Sequence, residues 1–266
     1  MKKKLLIIIP IAAVLIAAWL AFCGYQWSWG PFVKLHDIKT ASLEGNGEEY
    51  ALDNVTEIAE SPLKGKTVVF LGSSVTYGSA SGGVSFADYI EKRSGCTAIK
   101  NAVSGTTLVE SGIDSYVSRL KKLDAPKVDL MVCQLSTNDA SQKKEPGKII
   151  ESKNLGDFDT KTVAGAIEYI ICYSKEKWNC PVTFYTNPEY DSERYRTMVD
   201  ILKSAEKKWD ISVIDMWNDA ELNAELDADR ELYMADKIHP TKAGYLKIWT
   251  PFMERKIFAV MNAEKR

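Results

Sequence analysis

From Ser61 onward, short runs of consecutive apolar residues alternate with longer stretches in which apolar positions recur at helical spacing. The short runs predict strands over 67–71 (TVVFL), 97–102, 128–134 (VDLMVCQ), 182–186 (VTFYT) and 211–214. The longer stretches predict helices over roughly 85–93, 113–122, 162–177, 192–208 and 241–261. In the last of these, Ile248, Phe252, Ile257 and Val260 make a mostly apolar face. The strand runs are continuously apolar rather than alternating, as befits strands covered on both faces. Strands that alternate with helices build a parallel sheet, and right-handed crossovers wind it in both directions. The expected fold is therefore α/β, a three-layer, doubly wound, five-stranded parallel sheet. Its site should lie beyond the carboxyl ends of the strands. The pattern shows no internal repeat and no second domain.

The N-terminal pattern is different. Lys2, Lys3 and Lys4 precede an apolar run over 5–22. As a helix, that run would extend about 27 Å, against a hydrocarbon core of about 30 Å. It is longer than the core of a cleavable signal. Lysines ahead of the run and none just after it predict an N-terminus inside and the remaining chain outside. Trp19, Tyr25, Trp27 and Trp29 would then form an aromatic belt. A removed signal peptide stays open as an alternative. So does a lipoprotein site at Leu20-Ala21-Phe22-Cys23, although Phe22 stands where a small residue is usual. All three readings export the domain. Residues 24–61 lack clear periodicity and read as a juxtamembrane spacer that packs partly on the domain. The expected division is thus 1–23, 24–61 and 62–266.

Composition narrows the chemistry. Lys and Arg number 34 against 36 Asp and Glu, so no basic excess exists to neutralise phosphates, and nucleic acid is not an expected partner. The two histidines, His36 and His239, are too few for a zinc site built on several. Five cysteines do not make a disulfide scaffold in a chain of this size. Cys133 falls in an apolar run and reads as core, while Cys172 and Cys180 are close enough to pair in an oxidising compartment. No C-x-x-C motif occurs, so metal and redox chemistry gain little support.

Four segments at predicted strand ends carry candidate chemistry. Gly72-Ser73-Ser74-Val75-Thr76-Tyr77-Gly78 follows the first strand. It either presents a hydroxyl at the sheet edge or is an ordinary capped loop. It matches neither a G-x-S-x-G elbow nor a P-loop. After the second strand, Gly105 in Asn101-Ala102-Val103-Ser104-Gly105-Thr106 either brings an N–H close to a substrate oxygen or simply makes a turn. After the third, Asn138 in Ser136-Thr137-Asn138-Asp139 either donates to a developing oxyanion or closes an Asx-turn, with Asp139 bonding local N–H groups. Late in the chain, Asp236-Lys237-Ile238-His239-Pro240 either lets one short turn hold a carboxylate against an imidazole or is a helix N-terminal segment with an incidental histidine. His36, in the unpatterned spacer, is a weak rival.

Taken together, these segments resemble the SGNH (GDSL-type) hydrolase family, in order and at predicted strand ends, over 63–245. The resemblance implies a flavodoxin-like sheet and a serine esterase that needs no cofactor, to which the N-terminal pattern adds export. The eponymous residues fall on Ser74, Gly105, Asn138 and His239. Ser74 aligns with the nucleophile, and Asp236 with the carboxylate that orients His239. The N–H groups of Ser74 and Gly105 and the Asn138 amide align with the oxyanion hole. Two positions depart from the family: Ser73 replaces the Asp of G-D-S, and Ser136 replaces the Gly of G-x-N-D. Neither change removes a catalytic group. The implied substrates are acyl esters, acetyl esters on carbohydrate above all. The acidic insert 143–159 and Tyr185-Thr186-Asn187-Pro188 are expected to line the pocket, and Trp217 either stacks on sugar or belongs to the core. Two other functions stay open: an O-acetyltransferase of envelope glycans, and a non-catalytic carbohydrate-binding domain.

Overall fold

The computed structural model describes residues 2–27 and 30–263, with the backbone alone for 2–8 and 26–27. Its five strands are β1 (Thr67–Gly72), β2 (Thr97–Ala102), β3 (Leu130–Gln134), β4 (Val182–Tyr185) and β5 (Ser212–Ile214). They form one parallel sheet in the order β2-β1-β3-β4-β5. The winding direction therefore reverses between β1 and β3, the place where doubly wound sheets open a crevice. Gly72 pairs with Ala102 and Leu71 with Cys133, so the loops leaving β1, β2 and β3 emerge along one edge.

Side chains alternate along each strand and feed two cores. Val69, Leu71, Met131, Cys133, Val182 and Phe184 join one of them. There they meet α5 (Tyr116–Lys122), α7 (Val163–Trp178) and α8 (Glu193–Trp209). Val68, Phe70, Leu130, Val132 and Tyr185 join the other. That core holds α4 (Phe86–Ser94), α9 (Ala220–Ala228) and α11 (Thr250–Ala263). β2 departs from the expectation of two covered faces. It is an edge strand with no fully buried position, and its Lys100 turns outward to Asp88 at 2.6 Å.

Ser85, Thr162 and Ser192, where three helices are predicted to begin, are N-caps one residue ahead of them. Their hydroxyls accept from the N–H groups of Ala87, Gly165 and Tyr195. The helix predicted over 113–122 begins only at Tyr116, capped by Ser115. The region 241–261 is broken by a π-helical stretch, Gly244–Trp249, ahead of α11. The pattern leaves α9 and α10 (Arg230–Tyr233) unannounced.

At the N-terminus, α1 (Lys2–Trp27) is one helix with Pro10 inside it. Among the described residues no helix is long and apolar enough to cross a membrane, so the expected anchor over 1–23 gains no support. Trp29 and the side chains of Lys2, Lys3, Lys4 and Trp27 lie outside the described residues. Trp19 is exposed, whereas Tyr25 faces α2 (Lys34–Ala41): Lys39 Nζ sits 4.9 Å from its ring centroid. The expected spacer is more integrated than its pattern suggests. Tyr89 of α4 donates to Tyr50 O at 2.6 Å, Ile58 N donates to Arg93 O at 2.6 Å, and Val55 is buried. Cys172 and Cys180 do not pair. The Cys172 thiol faces Lys153 O and Glu176 Oε1, and the Cys180 thiol lies 3.9 Å from Ser174 O.

Candidate active site

Ser74 is the first residue of α3 (Ser74–Tyr77), a single turn that begins directly past β1. The preceding Ser73 is fully buried. Its N–H and hydroxyl both donate to Gln134 Oε1, at 2.9 and 3.3 Å. Thr76 donates to the same oxygen at 2.9 Å. The residue replacing the family's Asp thus fastens the turn to the end of β3.

The loop after α10 closes on itself. Ala235 N donates to His239 O at 2.9 Å, and Asp236 Oδ1 accepts from the N–H groups of Ile238 (2.7 Å) and His239 (2.8 Å). This fold-back sets the imidazole beside its own carboxylate: His239 Nδ1 lies 2.8 Å from Asp236 Oδ2, and Nε2 lies 2.8 Å from Ser74 Oγ. With its proton on Nδ1, the ring donates to the carboxylate and leaves Nε2 to accept from the serine hydroxyl. Partial burial pushes the Asp236 carboxyl up. The His239 hydrogen bond, its charge and the two N–H donors outweigh that and hold it at about 2.

Gly105 and Asn138 meet across the neighbouring loops. Gly105 adopts φ +79°, a left-handed conformation, and nothing lies within 4 Å of where a Cβ would stand. Asn138 opens no Asx-turn. Ser136 supplies the local cap by accepting from Asn138 N at 3.2 Å, while Asn138 Nδ2 donates to Thr106 O at 3.0 Å. A primary amide has two N–H groups, so one is fixed on the Gly105 turn and the other is left over. Asp139 does not bond local N–H groups as expected. Its oxygens accept from Leu108 N (2.7 Å) and Val109 N (3.0 Å), on the far side of that same turn.

Arg119 is a part of the site that the sequence did not reveal. It is nearly buried and donates to Gly72 O (2.7 Å), Asn101 Oδ1 (2.5 Å), Asn101 O and Asp114 O. All of these acceptors are neutral oxygens, and they tie the ends of β1 and β2 to the turn before α5. An arginine on the buried face of a short helix, among Val117 and Leu120, was the only available signal.

Other expected contributors lie elsewhere. His36 Nδ1 faces Tyr25 O at 3.2 Å, on α2. Trp217 is buried between Tyr190 and Tyr195, so it belongs to the core. The 185–188 strand end is internal framework: Tyr185 OH meets Thr76 Oγ1 at 2.7 Å, and Asn187 Nδ2 donates to Ile238 O at 3.1 Å. The 143–159 insert is held by α7 and α8. Glu145 O accepts from Val163 N at 2.9 Å, and Ser152 O accepts from Lys208. Among the described residues no cluster of His, Cys, Asp and Glu could hold a metal ion.

Residues 70–247 match the model of the GDSL-like Lipase/Acylhydrolase family. The chain belongs to that family. It is accordingly a carboxylic ester hydrolase on the SGNH fold. Solved structures agree on the fold. A Lactobacillus plantarum protein is 18% identical, with a TM-score of 0.60 over 75% of this chain and 98% of its own. A Bacteroides uniformis ATCC 8492 protein classed as a GDSL-like lipase is 16% identical, with a TM-score of 0.53 over 75% and 96%. A Desulfitobacterium hafniense DCB-2 protein assigned to the G-D-S-L family is 18% identical, with a TM-score of 0.52 over 71% and 98%. No match is found among curated proteins.

Proposed function

We propose that this GDSL-family hydrolase is an exported serine esterase that removes acyl groups, acetyl above all, from carbohydrate. The observation that carries the reading is the chain of contacts from Ser74 Oγ through His239 to Asp236, 2.8 Å at each step. His239 Nε2 takes the serine proton as Ser74 Oγ attacks the ester carbonyl. The tetrahedral oxyanion accepts from the N–H groups of Ser74 and Gly105 and from the uncommitted N–H of Asn138. His239 then protonates the departing alcohol oxygen as the carbon–oxygen bond breaks. A water molecule, activated by the same nitrogen, attacks the acyl-enzyme and releases the acid and the free serine. Asp236 fixes the tautomer and balances the imidazolium.

Two features favour a bulky, hydrated substrate. Ser104 and Gly105 are exposed, so a substrate can approach the oxyanion turn unhindered. Tyr77, exposed just beyond Ser74, offers an aromatic ring of the kind sugars stack on. Export rests on the lysines and apolar run of the first 22 residues, whether retained or cleaved. The test is to incubate the purified protein with p-nitrophenyl acetate and then with acetylated glycans. Free acetate is the expected product. Transfer of acetyl to sugar without release would indicate the transferase, and inertness of the folded protein to both would indicate a binding domain.

A further inference from the structure

The segment ahead of β1 lies outside the family match, yet one of its side chains touches both halves of the candidate active site. Asn46 ends the 3-10 turn Glu44–Asn46 and is 8% exposed. Its Nδ2 donates to Thr40 O and to Ala80 O, each at 2.7 Å, and its Oδ1 accepts from Lys242 N at 2.8 Å. Both amide hydrogens and the amide oxygen are therefore engaged. Ala80 belongs to the loop that follows the Ser74 turn. Lys242 follows His239 at the start of the last helical region. Thr40 closes α2, so the amide pins three distant stretches of chain together.

The neighbouring residue makes the seating tight. A Cβ on Gly45 would stand 1.9 Å from Leu232 O and 2.5 Å from Thr241 Oγ1. Those two groups flank the histidine loop, and Thr241 Oγ1 donates to Leu232 O at 2.6 Å. Gly45 and Asn46 thus press on the base of that loop while holding the loop beyond Ser74. The two halves come from opposite ends of the family domain. Among the described residues, the other side-chain hydrogen bonds between them are the Ser74–His239 bond itself and Tyr245 OH to Val75 O at 2.6 Å.

We propose that Asn46 is a positioning residue that keeps the Ser74 and His239 loops in mutual register. The segment 34–58 is then part of the catalytic domain rather than a tether. The inference rests on the reading of Ser74 and His239 as the reacting pair. Its physical basis is the steep dependence of proton transfer on geometry, where a displacement of about 1 Å can cost about 10²-fold in rate.

The test compares Asn46→Ala and Gly45→Ala with Asn54→Ala, whose exposed amide donates to Glu48 O at 2.8 Å within the same segment. Turnover of p-nitrophenyl acetate and amide hydrogen exchange are measured on the folded full chain. The first two variants should lose about tenfold or more in kcat with KM nearly unchanged. They should also lose exchange protection together around 78–84 and around 239–243. Asn54→Ala should show neither effect. If Asn46→Ala does not fold, Asn46→Asp keeps the acceptor for Lys242 N and removes both donors. Wild-type kcat in the folded variants, or lost protection confined to 34–58, would overturn the proposal. A wild type inert to esters would count against the acyl-transfer reading, and the exchange pattern would still decide the register claim.

Discussion

At the scale of single residues, everything at Ser74 depends on which nitrogen of His239 carries the proton. The Asp236 carboxylate accepts the hydrogen bond of Nδ1–H, so Nε2 faces the serine with a lone pair. Asp236 also links this geometry to stability. Its carboxyl is held at about 2, below its ordinary 3.8. A carboxyl lowered by folding stabilises the native state above its ordinary range, and that contribution disappears as pH falls through the folded value. The melting-temperature advantage of wild type over Asp236→Asn should therefore be present at pH 5 and vanish towards pH 2. It should be small, because the side chain is half exposed. An advantage that persists unchanged at pH 2 would contradict the pairing. Asn138 gives a kinetic prediction. If its second N–H serves the oxyanion, Asn138→Ala should lower kcat by about 10²–10³ with KM little changed. Loss of its bond to Thr106 O alone would appear as about 1 kcal/mol of stability with kcat intact. These residues were legible only together, as a family resemblance carried by motifs in order, since each motif alone also fits an ordinary turn or cap. Asn46 and Arg119 were not legible, because each works through partners far away in sequence.

At the scale of elements, the sheet lays three loops along one edge and distant side chains bind them together. Arg119 joins β1 to β2, and Asp139 joins the β3 loop to the turn after Gly105. On the other side of α7, Glu168 is fully buried. It accepts from Lys208 of α8 and from Trp209 Nε1 at 3.2 Å. Removing one partner of a buried pair strands the other charge, at a cost of about 3–5 kcal/mol. Lys208→Met should therefore unfold at markedly lower denaturant concentration than wild type. Glu168→Gln with Lys208→Met should recover part of the loss, and an unchanged midpoint in the single variant would contradict the pairing. Strands were legible as short continuous apolar runs, and long helices because their apolar periods are strong and their caps are serine or threonine. α9 was not, because it buries only Leu222 and Leu226, a stripe too narrow to stand out from its acidic neighbours. The π-helical stretch before α11 has no periodic signature of its own, since its buried Tyr245, Ile248 and Trp249 fit an α-helix equally well.

At the scale of the whole molecule, one sheet with a core on each face gives the chain stability that needs no cross-link. All five thiols are unlinked and buried, so reducing agent should leave the melting temperature unchanged, and a large drop would contradict the structure. The sheet and its edge site were legible from the alternation of strand and helix runs. Partial packing of the spacer was expected, but that 34–58 reaches α4 and the histidine loop was not legible, because single turns held by side-chain amides leave no periodicity. The proposed function stands on Ser74 as the nucleophile and His239 as its base. The most direct test is intact-protein and peptide mass spectrometry after exposure to a fluorophosphonate, for wild type, His239→Ala and His36→Ala. One phosphonyl adduct is expected, on Ser74, formed at wild-type rate in His36→Ala and nearly abolished in folded His239→Ala. An adduct on another residue, or Ser74 labelling at full rate in folded His239→Ala, would contradict those roles.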